Sequence, residues 1–103
     1  MNDYLTDVHR YDRRASADTV DRIVKHLGVA LKNRDASRVS CTDDKELQRV
    51  VENWCARKLG VADETKARAA VDAVCEQMAK DRNKQRVTFY YLCAAKLGKL
   101  GTL

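Results

Sequence analysis

The stretch Val87-Thr88-Phe89-Tyr90-Tyr91-Leu92-Cys93-Ala94-Ala95 constrains the fold more than any other part of the chain. Eight of its nine residues are apolar or aromatic, and no charge follows until Lys96. Thr, Phe and Tyr suit a strand, but a strand needs a partner and the rest of the chain reads as helix. A lone strand would leave its backbone groups unpaired. Wound as a helix, Val87, Tyr90, Tyr91, Ala94 and Ala95 share one face. Phe89, Leu92 and Cys93 fall on the other sides, so the element is apolar nearly all round. Such a helix lies in a core or spans a membrane. A span needs ~20 apolar residues, so this one belongs in a core, a reading we prefer to an exposed aromatic platform. It is predicted from about Gln85 to Leu97, with Gly98 as its stop.

The chain before it supplies the helices that cover it. Asn2 or Asp3 is expected to cap a short first helix with a Tyr4, Leu5, Val8, Tyr11 stripe. Residues 12–16 make a polar break. Asp18 is the next expected N-cap, and Val20, Ile23, Val24, Leu27, Ala30 and Leu31 hold helical register; of continuation to about Lys32 and a break at Gly28, continuation is the preferred reading. A loop over 33–38 comes next. Thr42-Asp43-Asp44 then opens a helix whose stripe is Leu47, Val50, Val51, Trp54 and Leu59. Gly60 ends it, with Val61 folding back on the last turn. Asp63 caps a further helix carrying Ala67, Ala70, Val71, Val74 and Met78. Asp81-Arg82-Asn83 turns into the central helix, and Leu100 and Leu103 are expected to pin the tail. No proline and only four glycines occur, which disfavours a turn-rich β fold. The expected architecture is a single all-α domain over 1–103, a compact bundle of four main helices plus a short N-terminal one, with the C-terminal helix central. Leu-Gly-Val-Ala recurs at 27–30 and 59–62, but the flanks do not match, so no internal repeat is inferred.

Charge is uneven along the chain. The formal net charge is +5, yet residues 1–78 carry fourteen basic and fourteen acidic groups. Residues 79–103 hold Lys80, Arg82, Lys84, Arg86, Lys96 and Lys99 against Asp81 alone. Such an excess aids solubility and attracts polyanions. Lys80, Arg82, Lys84 and Arg86, just ahead of Phe89 and Tyr90, are the candidate phosphate contacts, the alternative being a solvated loop. Ala56 to Thr65 resembles the turn of a helix-turn-helix. However, Lys66 replaces an apolar residue and Asp63 and Glu64 would open the recognition helix, where carboxylates repel phosphate. A capped helical hairpin explains the same residues.

Little points to catalysis. Cys41, Cys55, Cys75 and Cys93 form no C-x-x-C pair, and His9 and His26 are far apart, so no metal site or cofactor is expected. No phosphate-cradling loop, nucleophile elbow or dinucleotide fingerprint occurs. Met1-Asn2-Asp3-Tyr4 begins no signal peptide and no span is present, so a cytoplasmic protein with reduced thiols is expected. Cys55, Cys75 and Cys93 read as small core residues. Cys41 differs: it precedes a helix N-terminus, where a thiolate is favoured, although Asp43 and Asp44 oppose it. It is the candidate reactive thiol.

At Lys25-His26-Leu27-Gly28-Val29-Ala30-Leu31, Ser40-Cys41-Thr42-Asp43 and Arg86-Val87-Thr88-Phe89-Tyr90-Tyr91-Leu92, the chain resembles a family of small bacterial proteins of about this length known only as a domain of unknown function. The resemblance runs from Tyr4 to Leu100. It implies a bacterial, soluble, all-helical protein and transfers no catalytic residue. The reading best supported by the residues is a non-enzymatic helical binding or interaction protein, its partner a protein or a second copy of the chain. The alternatives are sequence-independent binding of nucleic acid or another polyanion through residues 80–86, and thiol-based redox activity at Cys41.

Overall fold

Three helix starts in this chain are set by side chains that satisfy the free amides of a first turn. Asp43 accepts from the amides of Lys45 and Glu46, Asp63 from that of Lys66, and Ser16 from that of Thr19. The computed structural model describes residues 3–32, 37–81 and 84–102. Among the described residues five α-helices occur in order: α1 (Asp3–His9), α2 (Ala17–Leu27), α3 (Asp44–Arg49), α4 (Glu64–Gln77) and α5 (Arg86–Lys96). A 3-10 turn, Gly28–Lys32, succeeds α2, and another, Leu100–Thr102, succeeds α5. Among the described residues no strand forms; one isolated antiparallel bridge joins Arg38 and Gln85. No helix among them is long and apolar enough to cross a membrane. The features expected at Asn2, 33–36, Arg82, Asn83 and Leu103, and the side chain of Ala30, lie outside the described residues.

Two expectations for α2 need correction. Its cap is Ser16, not Asp18, because the Ser16 hydroxyl sits where it accepts the Thr19 amide at 3.2 Å. The α-helix also does not continue through Gly28. Gly28 takes φ +48° and gives its N–H to the Val24 carbonyl, and the chain goes on as a 3-10 turn. Positive φ is open to glycine without steric cost.

The larger departure is a π-helical segment, Val50–Lys58, that continues α3. The spacing at its end is visible in the residues. The buried stripe steps from Trp54 to Leu59, a spacing of five. An α turn would bring Lys58 rather than Leu59 under Trp54. The i→i+5 turn does the reverse: the Leu59 amide bonds the Trp54 carbonyl at 2.9 Å, Leu59 is buried and Lys58 is exposed. Gly60 (φ +73°) then stops the helix, and the Val61 amide reaches back to the Cys55 carbonyl at 2.9 Å.

α5 is the centre of the bundle. Val87 to Ala94 are all buried, and the helix packs against α1, α2, α4 and the π segment. Burying Val87, Phe89 and Leu92 contributes on the order of 1.5–3 kcal/mol each. Trp54, with no exposed surface, stacks on Tyr90 at 4.7 Å between ring centroids and donates its indole N–H to the Tyr90 carbonyl at 2.9 Å.

Candidate functional site: the 37–43 loop against the start of α5

The segment leading into α5 is held by the loop that precedes α3. The Val39 amide donates to the Lys84 carbonyl at 2.8 Å, and the Arg86 amide to the Ser37 carbonyl at 2.7 Å. Arg86 completes the junction. Its guanidinium pairs with Glu46 on α3, donates to the Arg38 carbonyl at 3.2 Å and to the Tyr90 hydroxyl at 3.3 Å, and lies over the Tyr90 ring. Burial works against the Arg86 charge, but Glu46 and Tyr90 outweigh it and raise its pKa. Tyr90 is raised in turn by burial. A row of rings runs from Arg86 through Tyr90 and the buried Trp54 to the exposed His26, whose centroid is 5.1 Å from that of Trp54. Burial and the nearby Lys58 lower the His26 pKa.

Of the four basic residues singled out from the sequence, the three described ones differ in exposure. Lys80 is exposed. Lys84 is half-buried and its ammonium donates to the Asp81 carbonyl at 3.0 Å. Arg86 has only 12% of its side chain exposed and faces Glu46. Arg82 lies outside the described residues. Lys96 and Lys99 stand at the far end of α5, whose eleven residues separate them from this junction by about 16 Å. Among the described residues, the basic excess of the C-terminal end is thus divided in space.

Cys41 is bonded to Cys75, with 5.8 Å between their α-carbons. This corrects two expectations, four reduced thiols and a core-filling Cys75. The loop carrying Cys41 folds across the last turn of α4, a contact between residues 34 apart that no local pattern announces. Cys55 and Cys93 are free and fully buried, as expected for core thiols. Burial pushes the Cys55 thiol up to about 11 and Cys93 well above its ordinary value.

Two further polar ties fasten α1 and the turn after it to α5. Thr88 donates its hydroxyl to Asp7, which also pairs with Arg10 at 2.7 Å. Arg10 and the Tyr11 hydroxyl both reach Asp81 at 3.2 Å. The Tyr91 hydroxyl donates to Asp12 at 2.7 Å. That bond and the Arg14 amide hold the Asp12 carboxyl below the usual range, while burial and Asp12 raise Tyr91. Sequence reasoning missed these partners. A signal existed for Asp7, which falls between Tyr4 and Tyr11 on the apolar stripe of α1, and for Glu46, which adjoins Leu47 at the buried face of α3. Neither position names its partner.

A recess of about 270 Å³ opens at the junction, lined by Tyr4, Ser37, Arg38 and Gln85. A larger one, about 430 Å³, lies between α3 and α4. There Arg68 is held between Asp44 at 2.6 Å and Asp72 at 3.1 Å, and the Gln48 amide bonds Glu52 and Glu64. The hairpin from the π segment to α4 uses the Asp63 carboxylate as a cap at 3.1 Å from the Lys66 amide, the structural role that the same residues suggest. Among the described residues no three His, Cys, Asp or Glu side chains gather as a metal-binding group.

No curated protein matches the chain. Residues 3–101 match the family described as "Protein of unknown function (DUF2853)". With almost its whole length covered, and with the helices, caps and junction above folded from that same span, the chain belongs to the DUF2853 family.

Proposed function

We propose that the chain is a non-enzymatic binding protein that meets an anionic partner on the face where the 37–43 loop joins the start of α5. The observation that carries this reading is the recess between Tyr4, Ser37, Arg38 and Gln85, on whose wall Arg38 is exposed. Lys80 is exposed on the turn after α4, and Lys84 is half-buried in the same junction. The ionisable groups drawn inward here act on the fold itself. Arg86 and Glu46 neutralise one another, and Asp7 and Asp12 fasten α1 and the turn after it to α5. Polyanion contact through Lys80, Arg82, Lys84 and Arg86 therefore loses Arg86 and gains Arg38.

The test is fluorescence anisotropy of the full chain against labelled mixed-sequence DNA, RNA and an acidic peptide, at low and moderate salt. Binding that weakens steeply with salt, and falls about tenfold in an Arg38→Glu/Lys80→Glu variant of unchanged helicity, supports the reading. No binding of any anionic probe at low salt, or equal binding by the variant, overturns it. Light scattering alongside distinguishes a partner that is a second copy of the chain.

A further inference from the structure

The cysteines of this chain fall into two chemical classes. Cys55 and Cys93 are fully buried, and burial keeps both protonated at neutral pH. A protonated, inaccessible thiol does not take part in exchange. Cys41 and Cys75 are bonded to each other and half-buried, at an edge that solvent reaches.

The position of that bond matters more than its presence. Cys41 lies in the middle of a connection tied non-covalently on both sides. Upstream, Ser37, Arg38 and Val39 are hydrogen-bonded to Lys84 and Arg86. Downstream, Asp43 caps α3 and Asp44 pairs with Arg68 on α4. Cys75, two residues before the end of α4, anchors the covalent tie. Opening the bond leaves the buried centre and the downstream ties of Asp43 and Asp44 in place. It removes the constraint holding the loop, and through it the Val39 and Arg86 hydrogen bonds, in one position.

We propose that Cys41–Cys75 is a reversible redox latch, opened by dithiol reductants of the thioredoxin class, and that opening loosens the 37–39 segment from the start of α5. One thiolate of the reductant attacks either sulfur. A mixed disulfide forms there, the Cys41–Cys75 bond breaks, and the other cysteine leaves as a thiolate that takes a proton from water. The reductant's second thiol then displaces the first cysteine and closes its own disulfide. Two electrons and two protons pass to the protein, which holds two thiols in place of one bond. The loop borders the recess assigned above to an anionic partner, so the latch would regulate that face. The latch itself does not depend on that partner, since thiol labelling and amide exchange read it directly.

The experiment equilibrates the full-length oxidised protein in graded mixtures of reduced and oxidised dithiothreitol. Free thiols are trapped with iodoacetamide and mapped by peptide mass spectrometry, with amide hydrogen exchange measured at both ends of the series. The latch requires Cys41 and Cys75 to become alkylated together while Cys55 and Cys93 stay protected and the helical circular dichroism is unchanged. It also requires the Val39 and Arg86 amides to exchange at least tenfold faster in the reduced form, and to slow again on reoxidation. Alkylation of all four cysteines together would mean that the bond opens only when the protein unfolds, and overturns the proposal. Equal exchange at Val39 and Arg86 in both states overturns it too. A Cys41→Ser/Cys75→Ser variant should reproduce the fast exchange without reductant; should it fail to fold, the titration of the unmutated chain still decides.

Discussion

Cys41 stands just ahead of α3 and Trp54 in its π-helical extension, and the chain secures these two neighbourhoods by different means. Around Trp54 the ties are burial and stacking: the indole is fully enclosed, lies on Tyr90 and donates to a backbone carbonyl of α5. Around Cys41 the ties are polar and covalent: two backbone hydrogen bonds, the Arg86–Glu46 pair, the Asp44–Arg68 pair and a disulfide. Burial responds weakly to pH, salt or reductant over ordinary ranges, whereas the ion pairs at the edge respond to pH and salt and the disulfide to reductant. A rigid centre therefore coexists with an edge that the surroundings can loosen.

Four changes break or sharpen this contrast. The largest effect belongs to the centre. Trp54→Ala should cost about 3–5 kcal/mol, much of a typical domain's total of about 5–15 kcal/mol, and a urea titration should find the variant far less stable or unfolded. The disulfide comes next. Closing a loop of 34 residues is worth roughly 3–4 kcal/mol in the chain-entropy account, so Cys41→Ser/Cys75→Ser should lower the Tm by about 15–25 °C. A fall of only a few degrees would mean that the edge ties hold the loop without the bond.

Glu46→Gln should cost about 2–3 kcal/mol by leaving the mostly buried Arg86 guanidinium without its counter-charge. Replacing both partners, Glu46→Gln with Arg86→Met, should recover part of that loss, because an apolar side chain needs no compensation. Denaturant midpoints of the two variants check the pair. The smallest effect is Asp12→Asn, within ~1 kcal/mol at neutral pH. Its signature is pH dependence. The Tyr91 hydroxyl and the Arg14 amide hold the Asp12 carboxyl lower in the folded protein than in the unfolded chain. The stabilisation is therefore complete above the unfolded value of ~4 and is lost as pH falls through the folded one. Acid titration of stability should be shallower below about pH 4 in the variant than in the parent.

How far the sequence reached differs along the same contrast. The boundaries of α5, the helix start at Thr42-Asp43-Asp44, the Asp63 cap and the Gly60 stop are set by periodicity and local side-chain chemistry, and the structure has them where these signals place them. The π turn is half legible: the five-residue step from Trp54 to Leu59 stands in the stripe, but an α-helical register read across it hides the wider turn. At Gly28 the same Leu-Gly-Val-Ala tetrad that stops the π segment at Gly60 ends α2 and then leads into a 3-10 turn. The glycine supplies the positive φ in both places; the path of the chain beyond it depends on packing rather than on its immediate neighbours.

For this chain the sequence by itself determined an all-helical fold with α5 at its centre, because hydrophobic period, caps and glycine stops act within a few residues of one another. Only the tertiary structure decided which side chains meet. Glu46 and Arg86 pair across 40 residues, Tyr91 and Asp12 across 79, and Thr88 and Asp7 across 81, while Cys41 finds Cys75 across 34. Such partners are fixed by how finished helices pack, and the packing drew Arg86, one of a run of basic residues in the sequence, into an internal ion pair with Glu46.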